Sequence, residues 1–418
     1  MRVRDPHDRS RAAPFDRGAE PMRNPLSAPD GAIRSTIRRN MMKKIAAAGV
    51  SLVLLSAGAY AQSSVTLYGI VDLGVDYANN VANATNGSAV PGSGGRLFQM
   101  QSGVPLGSRW GLLGSEDLGG GLRAVFRLES GFDAATGSSG GLAFSRNAYV
   151  GIASERFGTL TFGRQWDANV DLLEPFTLNG QYGGWYFAHP NDMDNLDNGF
   201  SVPNAIKYVS PTIAGVTVEG HYSPGGRAGQ FSTDSTFSAA VAYRGGAFSA
   251  GVGYLQVNDP ATAVAGYASG GGYANAVYGD ALAAARSQRV IAAGAAYAVG
   301  AFKVSADFSN TVFRPAAGGG NLSFQNYEVS GTWQATGALL FGAGFTFTVG
   351  HDDAAGKSPR YQQLNLIAQY ALSKRTSVYA MVAGQNASGD APVAQIAGFN
   401  PSNTTRQVVG RAGITHQF

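Results

Sequence analysis

Residues 64–77 read SVTLYGIVDLGVDY. Taken in steps of two, Val65, Leu67, Gly69, Val71, Leu73, Val75 and Tyr77 fall on one side, and Thr66, Tyr68, Ile70, Asp72, Gly74 and Asp76 on the other. A period of two is that of an extended strand, whose successive side chains point to opposite faces, so the stretch predicts a strand with one apolar and one wet face. The same rhythm returns at 122–132, where Leu122, Ala124, Phe126 and Leu128 oppose Arg123, Val125, Arg127 and Glu129. It returns at 361–372, where Leu364, Leu366, Ala368, Tyr370 and Leu372 oppose Gln363, Asn365, Ile367 and Gln369. The chain closes on it too. Phe418, His416, Ile414, Ala412, Gly410 and Val408 interleave with Gln417, Thr415, Gly413, Arg411, Val409 and Gln407.

Two kinds of link separate these runs. Seven are short and turn-like, at 117–121, 155–158, 210–215, 244–247, 298–301, 335–338 and 372–375. Eight are long, polar and rich in glycine, at 78–107, 134–143, 168–200, 224–235, 258–287, 314–322, 351–359 and 388–403. The count predicts sixteen antiparallel strands joined alternately by hairpin turns and long loops. A sandwich of this length would normally break into domains and would have to bring its apolar faces together in a dry core. In a transmembrane β-barrel the apolar face meets lipid, the polar face lines a lumen, and closure removes every strand edge. Residues 62–418 supply about 22 residues per strand, enough for a span of roughly ten plus its loop. We therefore expect an all-β, 16-stranded antiparallel barrel whose last strand pairs with the first. A strand in that position has no freedom to fray, which accounts for an apolar residue at position 418.

Composition bounds the chemistry. The 418 residues include 58 glycines and no cysteine, which excludes a disulfide scaffold, a thiolate metal site and a thiol nucleophile. Residues 41–61, MMKKIAAAGVSLVLLSAGAYA, have the lysine start, apolar centre and small-x-small end of a secretory signal, which places the mature start at Gln62. Residues 1–40 hold nine arginines without periodicity and read as a non-native or disordered extension. Residues 1–61 carry 11 Lys and Arg against 5 Asp and Glu, leaving 20 basic and 22 acidic residues in 62–418. The overall charge of +4 is thus no argument for nucleic-acid binding.

The combination of SSVTLYGIVDLGVDY, GSRWGLLGSEDLGGGLRAVFRLESGFD (107–133), AYVGI (148–152), FGTLTFGRQWD (157–167), PNAIKYVSP (203–211) and the closing GITHQF resembles the general diffusion porins of beta-proteobacteria, the Gram-negative trimeric porin family. The resemblance covers essentially all of 62–418. It implies a homotrimer in the outer membrane, in contact with lipid and lipopolysaccharide, with the third long loop folded into the lumen. It also implies passage of small hydrophilic solutes and ions without a cofactor, and delivery by periplasmic chaperones to the barrel-assembly machinery, which reads the C-terminal aromatic Phe418. His416 departs from the tyrosine common in porins outside this group.

Carried over by motif, the resemblance expects a pore constriction with a basic wall at Arg109, Arg146 and Lys207, facing an acidic loop at Asp192, Asp194 and Asp197. Alternation alone turns Arg123 and Arg127 to the same inner face. For Arg146 and Arg164 alternation conflicts with Val150, Ile152 and Phe162 on their parity, which points to a bulge or a trimer contact. Opposed charged rows across a narrow wet gap set up a transverse field that orders water and biases ion selectivity.

Rival readings are a substrate-selective channel and a non-conducting structural or adhesin barrel. Glycine, serine, threonine, glutamine and asparagine dominate the inward set, whereas a closed barrel needs a filled lumen. Residues 137–141, GSSGG, match a nucleophile elbow in spacing, but they sit in a loop with no helix after them, so no enzyme is expected. Residues 192–199, DMDNLDNG, have Leu196 and Asp197 where a calcium loop needs a ligand and a glycine, leaving at most an adventitious calcium. The five histidines have no HExxH spacing and none pairs with a nucleophile, so they read as loop or interface residues.

Overall fold

The computed structural model describes residues 63–418 except 86–87, 91, 140 and 265–274. The expected extension, signal segment and Gln62 start lie outside the described residues.

The strands are β1 (Ser64–Val81), β2 in two segments (Gly95–Ser102 and Arg109–Gly119), β3 (Leu122–Gly131), β4 (Asn147–Ser154), β5 (Gly158–Gln165), β6 (Val202–Val209), β7 (Val216–Ser223) and β8 (Thr236–Gly245). They continue as β9 (Phe248–Asn258), β10 (Ala285–Val299), β11 (Phe302–Pro315), β12 (Leu322–Gln334), β13 (Leu339–Asp352), β14 (Pro359–Ala371), β15 (Thr376–Gly389) and β16 (Arg406–Gln417). Each pairs antiparallel with its neighbours in the chain, and β1 pairs with β16, so sixteen strands close into a barrel.

The predicted link at 78–107 is partly wall instead. β1 runs on to Val81, and Gly95–Ser102 pairs with its upper half, while Arg109–Gly119 pairs with its lower half. The two segments are one strand broken at 103–108, where Ser108 Oγ donates to the Asp72 carbonyl (3.0 Å) and Asp72 Oδ1 accepts from the Val104 amide (3.0 Å). Arg96, Phe98 and Met100 alternate with Leu97, Gln99 and Gln101 there, a strand pattern hidden by the surrounding glycines.

Alternation sorts the two environments as expected. Leu67 is 59% exposed on the outer face, while Asp72, five residues on and so of opposite parity, is fully buried. Outward aromatics form two belts: Tyr243–Phe248, Phe302–Trp333 and Trp333–Phe341 near the short turns, and Phe237–Tyr254 and Phe308–Tyr327 higher up. Phe302 to Phe308 and Trp333 to Tyr327 are each six residues apart, roughly 20 Å along a strand, the arrangement of rings at the two edges of a lipid-facing band.

The seam between β16 and β1 is pinned from both faces. Inside, Arg411 reaches Asp76 (2.8 Å) and Asp72 (3.1 Å), and Thr415 Oγ1 donates to Asp72 Oδ2 (2.6 Å). At the outer edge Phe418 and Gly69 exchange backbone hydrogen bonds of 3.0 and 3.2 Å. A Cβ on Gly69 would lie 2.3 Å from Phe418 Cζ, so the terminal ring lies flat over a position that has room only for hydrogen.

Candidate functional site

The long link after β5 folds inward and packs against the wall opposite its root. It opens with the helix α1 (Ala168–Leu173), capped by Asp167 Oδ1 accepting from the Asn169 amide (2.8 Å). Short helical turns follow at Glu174–Phe176, Asn179–Gly183 and Gly184–Phe187. Its back is apolar: Leu173, Phe176, Leu196 and Phe200 pack on Leu255, Val290, Ala292 and Ala296 of β9 and β10. Leu178, Tyr186 and Phe187 do the same with Ile367, Tyr379 and Met381 of β14 and β15. Two wall glycines make this possible, since a Cβ on Gly294 would sit 2.6 Å from Phe176 Cβ and one on Gly253 2.2 Å from Asn169 Oδ1.

Polar ties fix the same face. Glu328 Oε1 accepts from the Leu178 amide (2.6 Å), Lys303 Nζ donates to the Pro175 carbonyl (3.2 Å), and Gln288 Nε2 donates to the Met193 carbonyl (2.8 Å). Asn195 Nδ2 donates to Asp167 Oδ2 (2.7 Å), tying the end of the loop to its start. Asn191, Asp192, Asn195 and Asn198 all have positive φ, which explains the run PNDMDNLDNG as chemistry for tight turns, because Asn and Asp tolerate the left-handed region.

The loop packs along β7–β15 and reaches the break of β2, where the Trp185 amide donates to the Val104 carbonyl (3.1 Å); its other face is left toward the lower segment of β2 and toward β3 and β4, where a basic cluster stands. Arg127 reaches Glu129 Oε2 at 2.5 Å, Arg146 reaches Oε1 at 2.8 Å, and Arg109 lies 3.9 Å from Oε2. Tyr68 adds a hydroxyl donated to Glu129 Oε2 (2.7 Å), and Asn147 Nδ2 donates to Oε1 (3.3 Å). Trp166, at the root of the loop, lies under Arg127 and Arg146 at 5.5 and 5.4 Å from its ring centre. Three guanidinium groups are therefore held side by side by one buried carboxylate, and the group keeps a surplus of two positive charges.

The predicted residues divide unequally over this geometry. Arg109, Arg127 and Arg146 come together. Arg146 precedes β4 instead of belonging to it, so strand parity never applied to it. Arg164 stands at a bulge of β5 between Gly163 and Gln165 and donates to the Ser145 carbonyl (2.7 Å). Arg123 lies beside the β2–β3 turn, exposed and apart from the other three. Lys207 is inward but buried, bound to Asp171 of α1, to Glu219 (3.4 Å) and to the Trp166 carbonyl (3.1 Å), and so anchors the base of the loop.

The acidic residues do not all face the basic wall. Asp194, fully buried, turns to His189 (2.6 Å), Ser309 and Asn326 (3.3 Å) on the far side of the loop. Asp192, also buried, accepts from the Asp197 and Gly199 amides (2.9 and 2.8 Å) and holds a turn. Only Asp197 among the three is partly exposed; its Oδ1 accepts from Asn179 Nδ2 (3.0 Å), and the charge of Arg146 acts on it. Burial pushes its carboxyl up to about 7 against the opposing pull of Asn179 and Arg146. Sequence reading passed over Glu174, which feels Arg146 and Arg109; burial, then the charge of Asp197, pushes it up to about 8. It also left Glu129 without a role, although an Arg-x-Glu pair on one inward face was the available signal.

Residues 46–390 match the Gram-negative porin family model. Outer membrane porin protein 32 of Delftia acidovorans is 30% identical over 345 residues, covering 80% of this chain and 87% of that protein. An outer membrane porin protein of Bordetella pertussis is 40% identical over 173 residues, which are 40% of this chain and 43% of that protein. Among solved structures, an anion-selective porin from Comamonas acidovorans superposes with a TM-score of 0.67 at 26% identity, covering 85% of this chain and all of that one.

Proposed function

The chain belongs to the Gram-negative porin family and is an outer-membrane barrel; we propose that it conducts small hydrophilic solutes and ions by passive diffusion between the free face of the inward loop and the basic cluster on β2–β4. The observation that carries this reading is the convergence of Arg109, Arg127 and Arg146 on a single acid, Glu129, on wall facing the open side of the loop. Asp197 and Glu174 are the loop's contribution to the gap, and Asp192, Asp194 and Lys207 hold the loop in shape. This reading is of a channel and not of an enzyme.

A cluster with two uncompensated positive charges favours anions in a narrow wet gap. The similarity to an anion-selective porin supports the same sign. Reversal potentials in a planar bilayer under a KCl gradient test it, and a cation preference would refute it.

The proposal extends to assembly. The mature chain starts at or next to Gln62, after cleavage following Ala61, and N-terminal sequencing of the membrane form checks this: retention of residues 1–40 would overturn it. It forms a homotrimer in contact with lipid and lipopolysaccharide, delivered by periplasmic chaperones and the barrel-assembly machinery through Phe418. A native mass three times that of the 62–418 chain is the expected result.

A further inference from the structure

Behind the inward loop, where it meets β11 and β12, the buried polar groups do not balance. His189 stands at the loop tip with Nδ1 2.6 Å from Asp194 Oδ2, and Asp194 in turn accepts from Asn326 Nδ2 (3.3 Å) and the Ser309 hydroxyl. That chain of contacts fixes the ring and turns Nε2 toward the wall, 3.3 Å from Asp307 Oδ1 and 4.0 Å from Glu328 Oε2. His189 and Glu328 are each 1% exposed and Asp307 8%. Apart from their 3.3 Å approach to one another, His189 Nε2 and the two oxygens of Asp307 make no hydrogen bond among the described residues. Carboxylates left side by side in such a place are costly without a cation between them.

One ligand atom from each of His189, Asp307 and Glu328 lies within 4.8 Å of the others. A zinc ion with bonds of about 2.1 Å places tetrahedral ligand atoms about 3.4 Å apart, so the 3.3 Å and 4.0 Å separations need only small side-chain rotations to close on a metal. The imidazole already donates its other nitrogen to a buried carboxylate, the arrangement that fixes the tautomer of a metal-bound histidine and raises its basicity. One imidazole and two carboxylates form a set suited to zinc and its neighbours, too poor in oxygen for calcium.

We propose that His189 Nε2, Asp307 and Glu328 bind one divalent transition metal of the zinc class, with water in the fourth position, and that this ion clamps the tip of the inward loop to β11 and β12. The loop tip contributes the histidine and the wall contributes the carboxylates, so the metal joins two elements that chain connectivity leaves far apart. The site lies behind the loop, outside the proposed solute path.

The test uses the mature trimer purified from outer membranes, stripped with a chelator, dialysed and titrated with Co²⁺ and Zn²⁺. One Co²⁺ per chain is expected, with the absorption of a tetrahedral ion, displaced by Zn²⁺. Crystals grown with zinc should give an anomalous peak at His189. Asp307→Asn keeps the shape and removes one charged ligand; it should bind at least tenfold more weakly, and His189→Gln should abolish binding. Asp390→Asn, in an exposed loop, should bind like the parent. Should His189→Gln fail to fold, Asp307→Asn decides alone. A stripped parent that takes up no Co²⁺, or an Asp307→Asn chain with unchanged stoichiometry and affinity, overturns the proposal, the first by showing that a proton suffices between these groups. Conductance of the stripped parent is read in the same preparation, so failure of the metal site and failure of the channel reading give different results.

Discussion

Replacing Glu129 by glutamine should make the pore more anion-selective while loosening its basic wall. The substitution keeps volume and one acceptor oxygen. It removes the only negative charge among Arg109, Arg127 and Arg146 and puts an amide NH₂ where one guanidinium was bound. The three arginine side chains are about a fifth exposed and Glu129 is fully buried, so the charge change is felt in the lumen mainly through the arginines it releases. For an ion passing about 7 Å away in aqueous surroundings, one charge is worth roughly 0.6 kcal/mol unscreened, and about 0.3 kcal/mol at ~0.1 M salt, where the Debye length is about 10 Å. Anion and cation feel it with opposite signs, which amounts to about a threefold rise in the anion-to-cation permeability ratio. In ~1 M salt, with a Debye length of about 3 Å, the change should nearly vanish.

Reversal potentials of single channels under a KCl gradient, repeated at both salt levels, give the measurement. Breaking a buried ion pair from one side costs about 3–5 kcal/mol, and the remaining oxygen and partial exposure of the arginines place this case at the lower end, so a lower melting temperature of the detergent-extracted trimer should accompany the shift. A reversal potential that stays put in the low-salt condition, with the barrel folded, would show that solutes do not pass the cluster. The location of the constriction would then have to be abandoned.

The two raised loop carboxyls predict a pH effect: Glu174 and Asp197 are neutral below their pKa values of about 8 and 7, so raising the pH from about 6 to about 9 ionises both and should lower anion preference, a trend absent from the Glu174→Gln, Asp197→Asn double variant. At the seam, Arg411→Met leaves Asp72 and Asp76 buried without their cation and should cost about 3–5 kcal/mol, read as a lower unfolding midpoint in detergent; a melting point equal to the parent's would contradict the pinning role. Deleting Phe418 removes the ring over Gly69 and the last backbone pair of the closing strand, so the yield of heat-modifiable trimer in the outer membrane should fall sharply.

The fold was legible because a lipid-facing barrel writes the same two-residue rhythm into every strand. Val65 and Leu67 outside, Asp72 and Asp76 inside, and Ile414 against Thr415 all follow from parity. The rhythm fails where backbone geometry departs from the pleat, at the break in β2 and at the bulge of β5, and those are where residues 78–107 and Arg164 were misjudged or left open. The inward loop has no period at all. Asp192, Asp194 and Asp197 look alike in sequence, yet three consecutive turns with positive φ send the first into the turn itself, the second to the wall and the third toward Arg146. His189, Asp307 and Glu328 come from three separate elements, so no spacing could have announced them.

The burial of two of the three acids changes what the loop does electrically. Had Asp192, Asp194 and Asp197 all faced Arg109, Arg127 and Arg146, the gap would have been close to neutral and its selectivity weak. Asp194 is instead spent on His189 at the back, Asp192 on backbone amides, and Asp171 on Lys207 at the base. What remains on the open side is Asp197 and Glu174, both held toward their neutral forms. The wall, by contrast, spends only Glu129 on three arginines. The same carboxylates that fasten the loop are thereby removed from the solute path, so a firmly anchored loop and a positive gap have one cause. A variant that frees Asp194 from the wall should weaken both together, loosening the loop and lowering anion preference. Ser309→Ala with Asn326→Leu, which strips Asp194 of its two wall donors, is that variant. A conductance that becomes noisy while selectivity stays at the parent's value would separate the two effects and refute the link.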